Sequence, residues 1–413
     1  MKKASALLII IMLATAVLSA CGAPKLECTD EFGCVEVPKG EDIRVAWAFV
    51  VSGPDGPLGT DTKRGVELAA KERGEILGHS LEIIGEDELC TPEGGQTAAQ
   101  KLAADPQIAA IVGTNCSSAA RAAIPVLCGV NIPMVSPSNT GVDLTLPDRP
   151  ADYHCYLRTA HSDKFQGKAA ADFAWDYLGA KTAATIHDGS LYADKLQQVF
   201  VESFTELGGT ITAQEAIQPT DTEMGSMLTR IAATDPDLIY YPIFIAAGGH
   251  ITKQARETAG LEEVFLMGAD GMFSPDFHEA AGDAAIGMYH SSPDLTMFGD
   301  LYPAFVELHQ AEYGELPIAP FHAHAYDAAM IIFKAIEAVA EGEEGGDLLI
   351  GRKALRDALY ATKDHQGLTG NITCDQYGDC ADPHIAVYET FSADTADWAP
   401  GGDADSNPRK IWP

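Results

Sequence analysis

The sequence predicts an α/β protein built as two doubly wound lobes, each a parallel sheet with helices on both faces. Three observations carry that reading. Short apolar runs alternate with helical segments from residue 43 onward, the pattern left by parallel strands joined through crossover helices. The alternation starts afresh near residue 160 and runs through a second series. A length of 413 residues with 46% hydrophobic content suits two domains of ordinary size, each with its own core.

Residues 43–51 read as the first strand and 60–73 as a helix with apolar positions at 66, 68, 69 and 70. A strand at 81–85 and a helix at 92–104 follow. The next stretch organises the chain: an apolar strand at 108–112, a turn at Gly113, and Ser117 and Ser118 where an alanine-rich helix begins. A helix N-terminus has unpaired N–H groups and partial positive charge, which suits a carboxylate or another anion. Helix capping by Ser117 is the competing reading. Residues 132–135 give a neighbouring strand, and Pro137, Ser138, Asn139 and Thr140 a polar turn at its carboxyl end. Ligands collect beyond such strand ends in open α/β sheets.

The second series opens with an extended crossover at 153–158, then a helix at 163–178. Strands at 183–187, 211–217, 238–244 and 264–267 alternate with helices at 191–207, 223–233 and 246–259. After 286–290, helices at 303–313, 320–340 and 350–362 need a sheet to pack on. Residues 384–391 add a late strand, and the acidic tail from Ser392 reads as loose.

Sixty acidic residues against 27 basic give a formal charge of −33. Such a surface repels nucleic acid and anionic headgroups, which excludes both as partners. Lys2 and Lys3 precede an apolar run at 6–17, the layout of an export signal. Leu18-Ser19-Ala20-Cys21 resembles the lipobox of bacterial lipoproteins, with Cys21 acylated. Residues 22–40 then read as a polar tether. The remaining eight cysteines suggest disulfides in an exported chain, from 105 possible pairings. Proximity favours Cys28–Cys34 and Cys374–Cys380; Cys90–Cys116 and Cys128–Cys155 remain by elimination.

Catalysis finds no support. There is no G-x-S-x-G elbow, and His187-Asp188-Gly189-Ser190 is contiguous, with His187-Asp188 closing a strand and capping the next helix. His322 and His324 lie two apart on a helix, so they cannot share a metal ion. Phosphate-binding glycine loops and H-E-x-x-H are absent, and no cofactor or metal is expected. Binding has more support. Tyr192 lies just past one second-series strand, Phe244 ends the next and Asp270 follows a third, so all three stand at carboxyl ends of strands. Singly, each is ordinary packing or surface; together, opposite Ser117 and the 137–140 turn, they suit a zwitterion.

With these residues in view, the chain resembles the leucine/isoleucine/valine-binding proteins, the substrate-binding components of branched-chain amino-acid ABC transporters. The resemblance covers about 41–391 and rests on motifs in matching order. They are Ser52-Gly53-Pro54, Cys90 with Asn115-Cys116-Ser117-Ser118, Val135 to Thr140 (VSPSNT) and Leu157-Arg158-Thr159. Ile186-His187-Asp188, Tyr240-Tyr241, Gln254-Ala255-Arg256 and Met267-Gly268-Ala269-Asp270-Gly271 complete them.

The resemblance implies the type I periplasmic-binding fold, two lobes joined by three hinge crossovers that close on ligand. It divides the chain into a signal (1–20), a tether (21–40), lobe 1 (41–159 and 290–366) and lobe 2 (160–289 and 367–413). It implies that Ser117, with backbone at Ser138 and Thr140, binds an α-carboxylate and part of the amino group. Asp270 takes the α-ammonium where the family commonly has glutamate, and Tyr192 covers the ligand. Phe244 stands where tyrosine is frequent, and Leu58 replaces an aromatic residue of the side-chain pocket. These departures fall where the side chain is read, so an amino acid or small amide is the expected ligand. Cys128, Cys155, Cys374 and Cys380 are additional to the family pattern. The implied partners are ABC permease subunits, with the membrane touched only through the lipid anchor, and the protein is expected to be a monomeric, exported, non-enzymatic receptor. A sensor of the same fold is the competing binding reading, and a secreted hydrolase the competing enzyme.

Overall fold

The computed structural model describes residues 26–413. The expected signal segment and Cys21 lie outside the described residues. Two sheets form the two lobes. The first has six strands in the order Glu75–Ile76, His79–Asp87, Ile43–Phe49, Ile108–Gly113, Met134–Ser136, Tyr156–Arg158. All pair parallel except the short edge strand Glu75–Ile76. The second has seven, ordered Arg409–Trp412, Ile385–Glu389, Tyr289–Pro293, Phe265–Ala269, Leu238–Tyr240, Thr182–His187, Thr210–Ala216. Its last five are parallel, Ile385–Glu389 pairs antiparallel with Tyr289–Pro293, and Arg409–Trp412 pairs antiparallel with Ile385–Glu389.

The central strands are apolar on both faces because helices cover both. Ile108–Gly113 is buried along its whole length, as expected of a strand between two helical layers. On one side the helices Gly56–Arg73 and His322–Val339 pack together, which explains why the 320–340 prediction needed a sheet. The helix Gly56–Arg73 begins four residues before its predicted start, with a proline in its first turn, where a missing N–H costs nothing. The expected strand at 238–244 stops at Tyr240, since Pro242 cannot donate to the ladder. Phe244 is therefore not a strand end but the residue preceding helix Ile245–Glu257. Tyr153 lies in a short helical turn, and the strand of that region is Tyr156–Arg158.

The chain passes between lobes three times. The first crossing lies between strand Tyr156–Arg158 and helix Asp163–Asp172. The second follows Pro293 rather than residue 289, because the strand Tyr289–Pro293 still belongs to the second sheet. The third comes after Cys380 rather than at 367: Leu368, Ile372 and Cys380 are buried in the first lobe's core.

Both termini of the described chain correct the sequence reading. The segment expected as a tether carries strand Cys34–Val37, antiparallel to Leu348–Gly351. Asp30 accepts hydrogen bonds from the N–H groups of Lys353 (3.0 Å) and Ala354 (2.9 Å), capping helix Arg352–Tyr360 from a distance in sequence. The tail expected to be loose ends in strand Arg409–Trp412, and Trp398 is buried against Phe273 and His278. Its acidic, glycine-containing composition concealed a few apolar anchors. All four expected disulfides are formed: Cys28–Cys34, Cys90–Cys116, Cys128–Cys155 and Cys374–Cys380.

Candidate functional site

One wall of the site grows from the carboxyl end of strand Ile108–Gly113. Gly113 has φ +146°, and a Cβ there would lie 2.5 Å from the Ala48 carbonyl oxygen, so only glycine fits. The chain then runs through Thr114, Asn115 and Cys116 to helix Ser117–Gly129. Asn115 fixes this loop: its Oδ1 accepts from Val50 N–H (3.0 Å) and its Nδ2 donates to Thr62 Oγ1 (3.0 Å). Cys116 N–H donates to the buried Glu88 carboxyl at 3.2 Å, and burial holds Glu88 well above the usual carboxylate range. Glu88, Cys90 and Cys116 bring potential ligand atoms together, yet both thiols are spent in the disulfide.

Ser117 does not cap its own helix. Its hydroxyl accepts from Gly141 N–H at 3.2 Å, tying the helix N-terminus to the 138–141 turn. Ser136 Oγ shapes that turn by accepting from Ser138 N–H (3.2 Å) and Asn139 N–H (2.9 Å) while donating to Thr114 O (2.8 Å). The Thr140 hydroxyl is buried beside the Asp163 carboxyl.

The facing wall comes from the second lobe. Asp270 follows strand Phe265–Ala269 and is 3% exposed. One of its oxygens accepts from Tyr192 OH (2.8 Å) and from the Gln166 amide. Gly271 N–H donates to the same Tyr192 oxygen at 3.2 Å. A Cβ on Gly271 would sit 2.8 Å from Ile243 O, so this close approach requires glycine. Burial pushes the Asp270 carboxyl up, opposed by the nearby His161 and by its two hydrogen-bond donors. The Tyr192 and Phe244 rings lie beside it, 5.2 Å apart between centroids.

The walls meet around a narrow cleft, lined by Leu58, Asn115, Cys116, Ser117 and Ser138 on one side. Tyr192, Phe244, Asp270 and Gly271 line the other, and Phe321, which precedes the first-lobe helix His322–Val339, adds to the lining. Six of the seven expected ligand-binding residues are therefore brought together; Thr140, itself part of the 138–141 turn, does not line the space. No Lys, Arg or His lines it among the described residues. The carboxylate of Asp270 thus faces the N-terminus of the Ser117 helix across a cavity without a basic side chain.

Contacts between lobes close this space. Ser118 Oγ accepts from Leu191 N–H at 2.9 Å, and Trp398 Nε1 donates to Pro317 O at 2.9 Å. Asp55, from the first lobe, meets the Ile245 N–H at the start of helix Ile245–Glu257. Burial pushes its carboxyl up to about 6, the Ile245 N–H opposes the rise and the nearby Asp188 adds to it.

Several buried groups escaped the sequence reading. At the first crossing, His161 Nε2 bonds Gln166 Oε1 (2.7 Å) while Gln166 Nε2 reaches Asp270 and Ser291. Asp163 is buried, and burial raises its carboxyl well above its usual range, with the Thr140 hydroxyl beside it opposing the rise. A polar run after a strand reads as a loop, so only its position at a crossover hints at such a cluster. The catalytic alternatives dissolve. Asp188 bonds Ser190 N–H (2.9 Å), and Ser190 caps the next helix, where His187-Asp188 had been expected to do so. His322 is engaged by Asp61 and Tyr302, whereas His324 packs on Phe298 and Phe321.

The family described as "Periplasmic binding protein" matches residues 42–389. A Leu/Ile/Val-binding protein of Rhizobium johnstonii is 26% identical over 352 residues, 84% of this chain and 91% of its own. The Leu/Ile/Val-binding protein of Escherichia coli K12 is 28% identical over 256 residues, 61% of this chain and 68% of its own. Among solved structures, a leucine binding protein from Thermotoga maritima superposes with TM-score 0.76 at 26% identity. It covers 85% of this chain and 96% of its own. A solute binding protein from R. palustris in complex with benzoate gives 0.71 at 24% identity, covering 84% and 93%, and so shares the fold.

Proposed function

The chain belongs to the periplasmic binding protein family, and on that premise we propose that it captures a small zwitterionic amino acid outside the cytoplasmic membrane. In this reading it is held there by acylated Cys21 and hands its ligand to an ABC permease. One observation carries the ligand class. Asp270 is buried with no Lys, Arg or His among the described residues lining the cavity, facing a helix whose first turn carries no acidic residue. A guest bearing an ammonium at one end and a carboxylate at the other satisfies both poles. Leu58, Phe244 and Phe321 give its side chain an apolar surround, in keeping with the relatives named for leucine, isoleucine and valine. Binding acts by differential affinity. Only the closed arrangement brings both walls to the ligand, so the ligand shifts the open–closed equilibrium.

A thermal-shift screen of the twenty amino acids, short amides and simple aromatic carboxylates tests this. A ligand at about 100 times its Kd stabilises by about 2.7 kcal/mol. The expected result is a raised melting temperature with at least one apolar amino acid and none with benzoate. A shift with benzoate alone would overturn the ammonium role of Asp270.

A further inference from the structure

Arg158 ends strand Tyr156–Arg158 and is completely buried. A guanidinium keeps its proton in proteins, so its burial demands acceptors for its N–H groups. Toward the site, Nη1 donates to the carbonyls of Asn139 (3.1 Å) and Gly141 (2.9 Å), on either side of Thr140. Nη2 donates to Thr145 Oγ1 at 2.8 Å. On the far side, Nη2 and Nε donate to the two Asp379 carboxylate oxygens at 2.8 and 3.3 Å. Burial pushes the Asp379 carboxyl up, and the Arg158 guanidinium, with Thr145 and His161, more than offsets this, leaving it below its usual value.

This fork matters because the peptide unit is planar. In a trans peptide the N–H points opposite to the carbonyl of the preceding residue. Holding Asn139 O on Arg158 therefore fixes the Thr140 N–H in the opposite direction. Asp379 is itself held by a closed loop. The Cys374–Cys380 disulfide seals it, and Asp379 N–H donates to Asp375 Oδ1 at 3.0 Å. Two backbone bonds zip the loop to the strand: Arg158 N–H to Gly378 O (2.8 Å) and Cys380 N–H to Arg158 O (3.0 Å).

We propose that Arg158 is a positioning residue of the anion subsite, and that the disulfide-closed 374–380 loop sets it through Asp379. The functional meaning rests on the carboxylate reading of the 138–141 turn, but the coupling itself is measurable without ligand. Opening this disulfide loosens the turn, so capture weakens in a reducing environment.

Hydrogen–deuterium exchange by mass spectrometry on the full mature chain tests the coupling. The variants are Asp379→Ala, Asp379→Asn and the double change Cys374→Ser with Cys380→Ser. Amides of residues 139–141 should exchange about tenfold faster in Asp379→Ala and in the double variant. Asp379→Asn, which keeps one oxygen acceptor, should fall between these and the wild type. Strands Ile43–Phe49 and Phe265–Ala269 should exchange unchanged in all three. Wild-type exchange at 139–141 would overturn the proposal. So would equal acceleration across the Ile43–Phe49 strand, the mark of a brace that only stabilises the lobe. Failure of the amino-acid reading shows separately, in the thermal-shift screen.

Discussion

The two walls of the cleft solve opposite problems by different means. The first lobe presents backbone: a helix N-terminus and a turn whose hydrogen bonds are spoken for by Ser117, Ser136 and Arg158. It is organised before any ligand arrives. The second lobe presents a carboxylate taken out of water, hydrogen-bonded by the neutral donors Tyr192 and Gln166 with His161 nearby. In the proposed reading, the ligand's ammonium completes that half. Partial charges on a fixed backbone are cheap to bury, whereas a full charge is costly until a counter-ion comes. The asymmetry predicts unequal responses to mutation.

The largest effect belongs to the carboxylate. Asp270→Ala should weaken amino-acid binding by about 2–5 kcal/mol, the cost of stripping one partner from a buried charged pair. Unchanged affinity by calorimetry would remove Asp270 from the site. A pH effect comes next, through Asp55, whose raised value belongs to the closed arrangement. A carboxyl raised on closure favours the closed form while protonated, below about 6, and opposes it as pH rises through that value. Asp55→Asn should therefore bind more tightly than wild type at pH 7, with the two converging toward pH 4–5. A constant ratio across that range would show that Asp55 does not report closure. The smallest effect is Ser117→Ala, about 0.5–1.5 kcal/mol for one neutral hydrogen bond, since the backbone N–H groups remain. Complete loss of binding with an intact melting transition would break the comparison, making the hydroxyl rather than the backbone the anion's partner.

The architecture was legible because apolar runs between two helical layers have few other uses. Strand and helix alternation, the Gly113 turn and the placement of Ser117, Ser138, Tyr192, Phe244 and Asp270 about one cleft all follow from strand ends facing the same way. What stayed hidden was non-local. Asp30 caps a helix that lies more than 300 residues away, and Arg158 pairs with Asp379 across 221 positions. Neither leaves a periodic mark in sequence. Phe321, a wall residue, also went unread, because it precedes a helix instead of following a strand of the second series. The strand Arg409–Trp412 was missed for a related reason: its partner Ile385–Glu389 stabilises a short, charged segment that would not be a strand alone.

The central claim is that opposite walls hold opposite poles of one ligand. Isothermal calorimetry with the strongest amino acid from the screen, its methyl ester and its N-acetyl derivative measures this directly. The account predicts that capping either pole weakens binding by about a hundredfold, near 2.7 kcal/mol, with the N-acetyl penalty vanishing in Asp270→Asn. Equal affinity for the free and capped forms would contradict it.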